Sequence, residues 1–228
     1  MDELEKIFSI KIDNIENFKR ALTHPSYTQE NNIEYIECYE RLEFLGDAVL
    51  KLTVSDILFQ KYPRATEGDM SKIRSIVVSD AMLFEIAKKI GLQNLILLGK
   101  HEEKQGLRKL ESVVACSFEA ILGAYYLDGK FEEIKEFIIK NFTEYIEDVD
   151  KNSAKYNAKA LLQEYTQGLT KETPTYVLKD ATGPEHNKTF VVEVLYQDKV
   201  VSSGKGKTKK EAEQHAAYQA CKKLGAIK

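Results

Sequence analysis

Three carboxylates, Glu40, Glu43 and Asp47, lie inside the stretch "CYERLEFLGDAVLKL", Cys38 to Leu52, which otherwise has the pattern of a buried helix. At a helical advance of about 100° per residue, the three positions fall within roughly 60° of one another, on one face. Leu42, Leu45, Val49 and Leu52 recur at helical spacing on a second stripe, with Phe44 and Ala48 beside it, so most of this helix is expected to be buried. Acids held against buried surface repel one another and resist desolvation unless a proton or a cation relieves them. The chemistry this suggests is capture of a metal ion. The plainer alternative is a solvated helix face carrying ordinary helix-forming acids.

The elements that must position these acids are helical as far as about Tyr145. Helical patterns run through "IENFKRALTH", the stretch above, "GDMSKIRSIVVSDAMLFEIAKKIG", "KLESVVACSFEAILGAYYLDG" and "FEEIKEFIIKNFTEYI". Gly91 and Gly129 sit where helices end, and Pro25 and Pro63 punctuate connections. "LLGKHEEKQGLRK", Leu97 to Lys109, reads as an exposed loop. "DVDKNSAK", 148–155, has no apolar periodicity, which places a linker at 149–155 between a first domain over 1–148 and a second over 156–228. In the second domain a short helix, "NAKALLQEYTQG", precedes three β-rich runs, "PTYVLKD", "KTFVVEVLYQ" and "KVVSSGKGK", and a closing helix, giving the order α-β-β-β-α. Thr208 followed by Glu211 is a capping-box signature that starts the last helix near Lys209. Ala212, Ala216, Ala217, Ala220 and Leu224 mark its inward face.

Charge divides the chain in the same place. Residues 1–150 hold 19 Lys and Arg against 28 Asp and Glu, a balance of −9, whereas residues 151–228 hold 14 against 8, a balance of +6. The basic part suits a polyanion; the acidic part repels one unless cations intervene. With 43% hydrophobic and 30% charged residues, the composition excludes a disordered chain, and no apolar run approaches the ~18 residues of a membrane span. The start, "MDELEKIF", lacks a signal-peptide pattern, so a cytoplasmic protein is expected. Cys38, Cys116 and Cys221 form no zinc spacing and are expected to be reduced thiols.

The stretches "ERLEFLGDAVL", "LTHPSY", "EGDMSKIRS", "FEAILGAYYLDG", "GPEHNKTF" and "GKTKKEAEQHAA" together resemble the ribonuclease III family of bacterial type, in the family's order and over nearly the whole chain. The resemblance implies an all-α endonuclease domain that dimerises, followed by a small α+β domain that binds double-stranded RNA. It implies a metal-dependent endoribonuclease, acting in processing of ribosomal and other structured RNA, that makes staggered cuts and leaves 5′-phosphate and 3′-hydroxyl ends. By the same resemblance Glu43, Asp47, Cys116 and Glu119 stand at metal-binding positions, with Asp47, Glu119 and Glu40 in catalytic roles. Oxygen donors of this kind suit magnesium, and manganese is expected to substitute. Phe44 matches an aromatic that contacts a second copy of the chain, with simple monomer core as its alternative.

One position departs from the family pattern. Three residues before Glu119 the family has aspartate, and here "ACSFEA" puts Cys116. A thiol is a poor ligand for magnesium and is mostly protonated at neutral pH. A second function class therefore stays open beside the nuclease: a duplex-RNA-binding or ribosome-associated structural protein whose nuclease site is impaired at Cys116. In the basic domain the resemblance assigns RNA contacts to Gln163, Glu164, His186, Lys207, Lys209 and Lys210. Phosphate is the natural ligand for lysines at a helix start, since the helix dipole and the exposed N–H groups there add to the charge. Solvated surface lysines are the plain alternative.

Overall fold

Three short helices, α1 (Asp2–Phe8), α2 (Ile15–Ala21) and α3 (Pro25–Glu30), lead into the long helix α4 (Glu40–Lys61) in this computed structural model, which describes residues 1–184 and 188–227. There follow α5 (Glu67–Val77), α6 (Asp80–Ile90), α7 (Lys100–Gln105), α8 (Glu111–Leu127) and α9 (Phe131–Lys151). The chain divides into two units, Met1–Glu147 and Asp148–Lys228. No helix among the described residues is long and apolar enough to cross a membrane.

Helix α8 is the centre of the first unit. It is apolar nearly all round, as a helix surrounded by others must be, and Val114, Phe118, Ile121, Leu122 and Tyr125 are fully buried. Phe8 joins it to α9, stacking on Phe137 with ring centroids 4.4 Å apart and lying 5.3 Å from Tyr125. Buried hydroxyls pin it further: Ser117 donates to the Ala21 carbonyl at 3.0 Å and Tyr125 to the Ile10 carbonyl at 3.3 Å.

Helices α4 and α8 cross in backbone contact because each supplies a glycine at the crossing. A β-carbon placed on Gly46 would lie 1.7 Å from the Glu119 carbonyl oxygen, and one on Gly123 would lie 2.3 Å from that of Leu42. Both distances are well inside van der Waals contact, so only glycine fits. The crossing sets Glu43 and Asp47, which flank Gly46 on α4, beside Cys116 and Glu119 on α8.

Several expectations need correction. Leu42, Val49, Val54 and Leu58 of α4 are buried, but Phe44, Leu52 and Phe59 are 82%, 60% and 72% exposed. The stripe through Leu52 therefore leaves the core partway along, and monomer core fails as a reading of Phe44. The run "GDMSKIRSIVVSDAMLFEIAKKIG" is two helices, broken where Ser79 turns extended (ψ 152°) and its hydroxyl bonds back to the Ile76 carbonyl at 2.7 Å. Helix α7 and a 3-10 turn at Leu107–Lys109 occupy the segment read as a loop, ordered by Glu30, which accepts from the Lys100 N–H at 2.5 Å, and by Arg108, which bonds Glu103 and the Ile96 carbonyl. Helix α9 runs past Tyr145 to Lys151, and α10 (Ser153–Tyr156) takes up most of what remains of 149–155.

In the second unit, α11 (Ala158–Thr170) precedes an antiparallel sheet of β1 (Thr175–Thr182), β2 (Thr189–Tyr196) and β3 (Lys199–Gly206), in that order, and α12 (Lys209–Leu224) closes the unit. Strand β2 alternates strictly, with Val192, Val194 and Tyr196 buried toward the helices. A two-residue turn at Gln197 and Asp198, both at positive φ (52° and 57°), joins β2 to β3 with Tyr196 paired to Lys199. Gly204 and Gly206 let β3 approach α12 closely: β-carbons there would lie 2.2 Å from Ala216 N and 2.4 Å from Ala212 N. Ala212, Ala216, Ala217 and Ala220 are fully buried on that face. The helix begins at Lys209, capped by the Thr208 hydroxyl, which accepts from the Glu211 N–H at 3.1 Å. The result is an all-helical unit followed by an α-β-β-β-α unit.

Candidate metal centre and duplex-binding surface

The α4–α8 crossing gathers the acids read from the sequence and adds two charges that the sequence pattern did not single out. Glu43 and Glu119 are half-buried. Burial pushes the Glu119 carboxyl up to about 8, with the charges of Asp47, Glu43 and Asp80 adding to it and Lys51 opposing. Burial also raises Glu43, opposed by a hydrogen bond from the Cys116 thiol and reinforced by Glu40, Asp80 and Asp47. The Cys116 thiol is itself pushed up, first by burial, then by its bond to Glu43 and the charges of Glu43, Glu119 and Asp80. Asp47 pairs with Lys51, Nζ to Oδ2 at 2.8 Å. Glu40 stands at the margin, exposed, accepting from the Tyr35 hydroxyl at 2.5 Å.

Asp80 and Lys51 had faint signals in the sequence. Asp80 is the first residue of α6 behind an extended Ser79, and only the packing of α6 on α8 brings it to this centre. Lys51 lies one helical turn beyond Asp47, a spacing that also describes any surface ion pair.

The donor set fits a hard divalent cation. It is made of carboxylate oxygens, and burial, with the charges of Asp47, Glu43 and Asp80 adding to it, raises the Glu119 carboxyl to about 8. Among the described residues no three His, Cys, Asp or Glu side chains form a ready cage for a metal. Cys116 fits least, as a half-buried thiol held toward its neutral form by burial and by its engagement with Glu43.

In the second unit, Gln163 and Glu164 are exposed on α11, and Lys207, Lys209 and Lys210 are exposed where α12 begins. The Lys207 N–H donates to Glu211 at 2.6 Å, which ties the strand end to the helix start. Lys209 and Lys210 thus stand in the first turn, at the positive end of the helix dipole. His186 lies outside the described residues.

Comparison with known proteins falls on the same two units. Residues 14–146 match the Ribonuclease-III-like family and residues 158–224 match the double-stranded RNA binding motif. Ribonuclease 3 of Staphylococcus epidermidis is 43% identical over 95% of this chain and 88% of its own length. Ribonuclease 3 of Leptospira interrogans is 42% identical over 96% of this chain and 88% of its own. A solved nuclease domain of ribonuclease III from Campylobacter jejuni, 36% identical, superposes with a TM-score of 0.57 over 62% of this chain and 98% of that one. The chain belongs to the ribonuclease III family. With nuclease and duplex-binding regions in one chain, it is an endoribonuclease of double-stranded RNA, and its family implies a divalent metal cofactor.

Proposed function

We propose that this chain hydrolyses the phosphodiester bonds of duplex RNA with magnesium held by Glu43, Asp47 and Glu119, leaving 5′-phosphate and 3′-hydroxyl ends. The observation that carries the reading is the glycine crossing, which sets carboxylates of α4 beside the half-buried Glu119, whose carboxyl is pushed up to about 8 by burial, with Asp47 and Glu43 adding to it. Magnesium bound there supplies an activated water and a counter-charge for the oxygen that leaves. Burial and the neighbouring acids favour the protonated form of the Glu119 carboxyl, which would release that proton to hold the ion. Asp47 is oriented by its ion pair with Lys51, and Glu43 is held by the Cys116 thiol. Glu40 keeps its place through Tyr35 at the edge of the centre.

The chain acts as a homodimer in this reading. Phe44, Leu52 and Phe59 fall within about 80° of one another on α4, an exposed apolar strip that a second copy covers, so that two equivalent centres serve the two strands. The second unit holds the duplex through phosphates and 2′-hydroxyls, with Lys207, Lys209 and Lys210 on phosphate and Gln163, Glu164 and His186 toward minor grooves. Residues 149–155 serve as its connection to the nuclease unit. Processing of structured RNA in the cytoplasm is the role proposed for this activity.

Incubation of the purified chain with end-labelled duplex RNA tests the reading. Cleavage with magnesium, none with chelator, and products that a 5′-phosphate-dependent exonuclease degrades are the expected results. Tight duplex binding without cleavage at any magnesium or manganese concentration would favour the binding-only alternative.

A further inference from the structure

Helix α12 carries an acid on the face of its phosphate-directed lysines. Glu213 follows Lys209 by four residues and Lys210 by three, so at a helical advance of about 100° per residue it lies within roughly 60° of both, one turn further along. Unpaired, it would repel a phosphate held by those two. Lys159 of α11 crosses to it, Nζ to Oε2 at 2.5 Å, with side chains 39% and 29% exposed. The same ammonium lies over the Tyr176 ring, 4.6 Å from its centroid, where the π face attracts a cation. The main chain is fixed beside it: Gln214 accepts from the Lys159 N–H at 3.1 Å and donates to the Tyr156 carbonyl at 3.0 Å.

An ion pair between two helices contributes little by itself when it is partly exposed. Its place singles this one out. Lys159 stands one turn before Gln163 on α11, while its ammonium is held one turn past Lys209 on α12, so it joins the two helices that face the duplex. We propose that Lys159 is a third phosphate-binding lysine of this surface, and that Glu213, by pairing with it, offsets its charge so that the surface grips a duplex less tightly than its lysines allow. The proposal rests on the phosphate contacts given above to Lys209 and Lys210. Glu213 is a positioning residue here: with the Tyr176 ring it keeps the long Lys159 side chain in one place, and its own charge opposes the phosphate. A surface balanced in this way suits an enzyme that must let go of a duplex once it is cut.

The test measures binding of the full chain to one labelled duplex RNA across salt concentrations, in chelator so that nothing is cut. Glu213→Gln should tighten binding about fivefold and steepen the slope of log affinity against log salt by about 1, because it releases a lysine to phosphate. Lys159→Met should weaken binding by a similar factor and flatten the slope by about 1, and the double variant Lys159→Met/Glu213→Gln should return close to the wild type. Lys222→Met is the control: it removes one positive charge about 18 Å along α12 from Lys210, and the slope should not change. Glutamine at 213 keeps an oxygen for Lys159, so that variant reports even where Lys159→Met disturbs the fold by circular dichroism. Unchanged affinity and slope in folded Glu213→Gln, or a change in Lys222→Met as large as that in Lys159→Met, would overturn the proposal. Undiminished binding by Lys209→Ala with Lys210→Ala would instead overturn the phosphate reading beneath it.

Discussion

In the first unit three carboxylates, Glu43, Asp47 and Glu119, lie half-buried where two helix backbones touch; in the second, lysines stand clear of a helix whose underside is closed on a strand by two further glycines. Both sites rely on glycine for close approach, Gly46 and Gly123 in one, Gly204 and Gly206 in the other. They differ in what the approach does to charge. Half-burial at the crossing makes the acids unfavourable neighbours until a cation joins them, which suits chemistry at one phosphate. Full exposure leaves the lysines in water, where the proposed role has them attract a duplex through its phosphates without reading sequence.

The comparison breaks most completely at its glycines. Gly46→Ala should cost more than about 4 kcal/mol, because the new methyl meets backbone at 1.7 Å and neither helix can shift without opening the core. Loss of the cooperative helical melt by circular dichroism checks this, while duplex binding by the second unit should survive. A Gly46→Ala variant that melts like the wild type would show that the crossing is looser than described.

The two sites should also fail in different ways. Glu119→Gln is expected to lower the cleavage rate by ~10²-fold or more with duplex affinity unchanged. Lys209→Ala with Lys210→Ala should instead weaken binding equally for duplexes of different sequence and reduce the slope of log affinity against log salt by about 2. Filter binding across salt concentrations, beside single-turnover cleavage, separates the two. A binding defect in Glu119→Gln as large as that of the lysine pair would erase the division of labour.

A smaller effect sharpens the account of buried charge. Because Glu119 is raised from 4.5 to about 8, the folded metal-free protein keeps a proton that the unfolded chain releases between those values. Its stability is therefore highest at the acid end of that window and falls as pH rises through it, and the raised Glu43 adds in the same direction. Saturating magnesium should flatten the slope. Melting temperatures at about pH 5 and pH 8, with and without metal, give the sign directly.

Much of this is legible in the sequence. Thr208 and Glu211 fix the start of α12 through local capping chemistry, and its alanine face is a periodic signal, so both can be read from spacing alone. The face shared by Glu43 and Asp47 is legible for the same reason. Leu52 is misplaced because helical periodicity identifies an apolar stripe and not what covers it. Asp80 escapes a sequence reading because its approach to Glu119 depends on how α6 packs against α8. Lys51 is visible there only as one of many lysines four residues from an acid. The order in the segment Leu97–Lys109 comes from long-range bonds such as Glu30 to Lys100, which local pattern does not carry.

The central claim is that the crossing is a cation-dependent centre in which position 116 faces the metal, and Cys116→Asp addresses it most directly. The substitution puts an oxygen donor beside Glu43 and Glu119 and adds a negative charge to an acidic cluster. Cleavage of one labelled duplex is measured against magnesium concentration for both proteins, and again with manganese, which accepts sulfur ligands more readily. The account predicts faster cleavage by Cys116→Asp at limiting magnesium, a narrower gap in manganese, and a slightly lower melting temperature without metal. Equal rates for the two proteins at every magnesium concentration would contradict it.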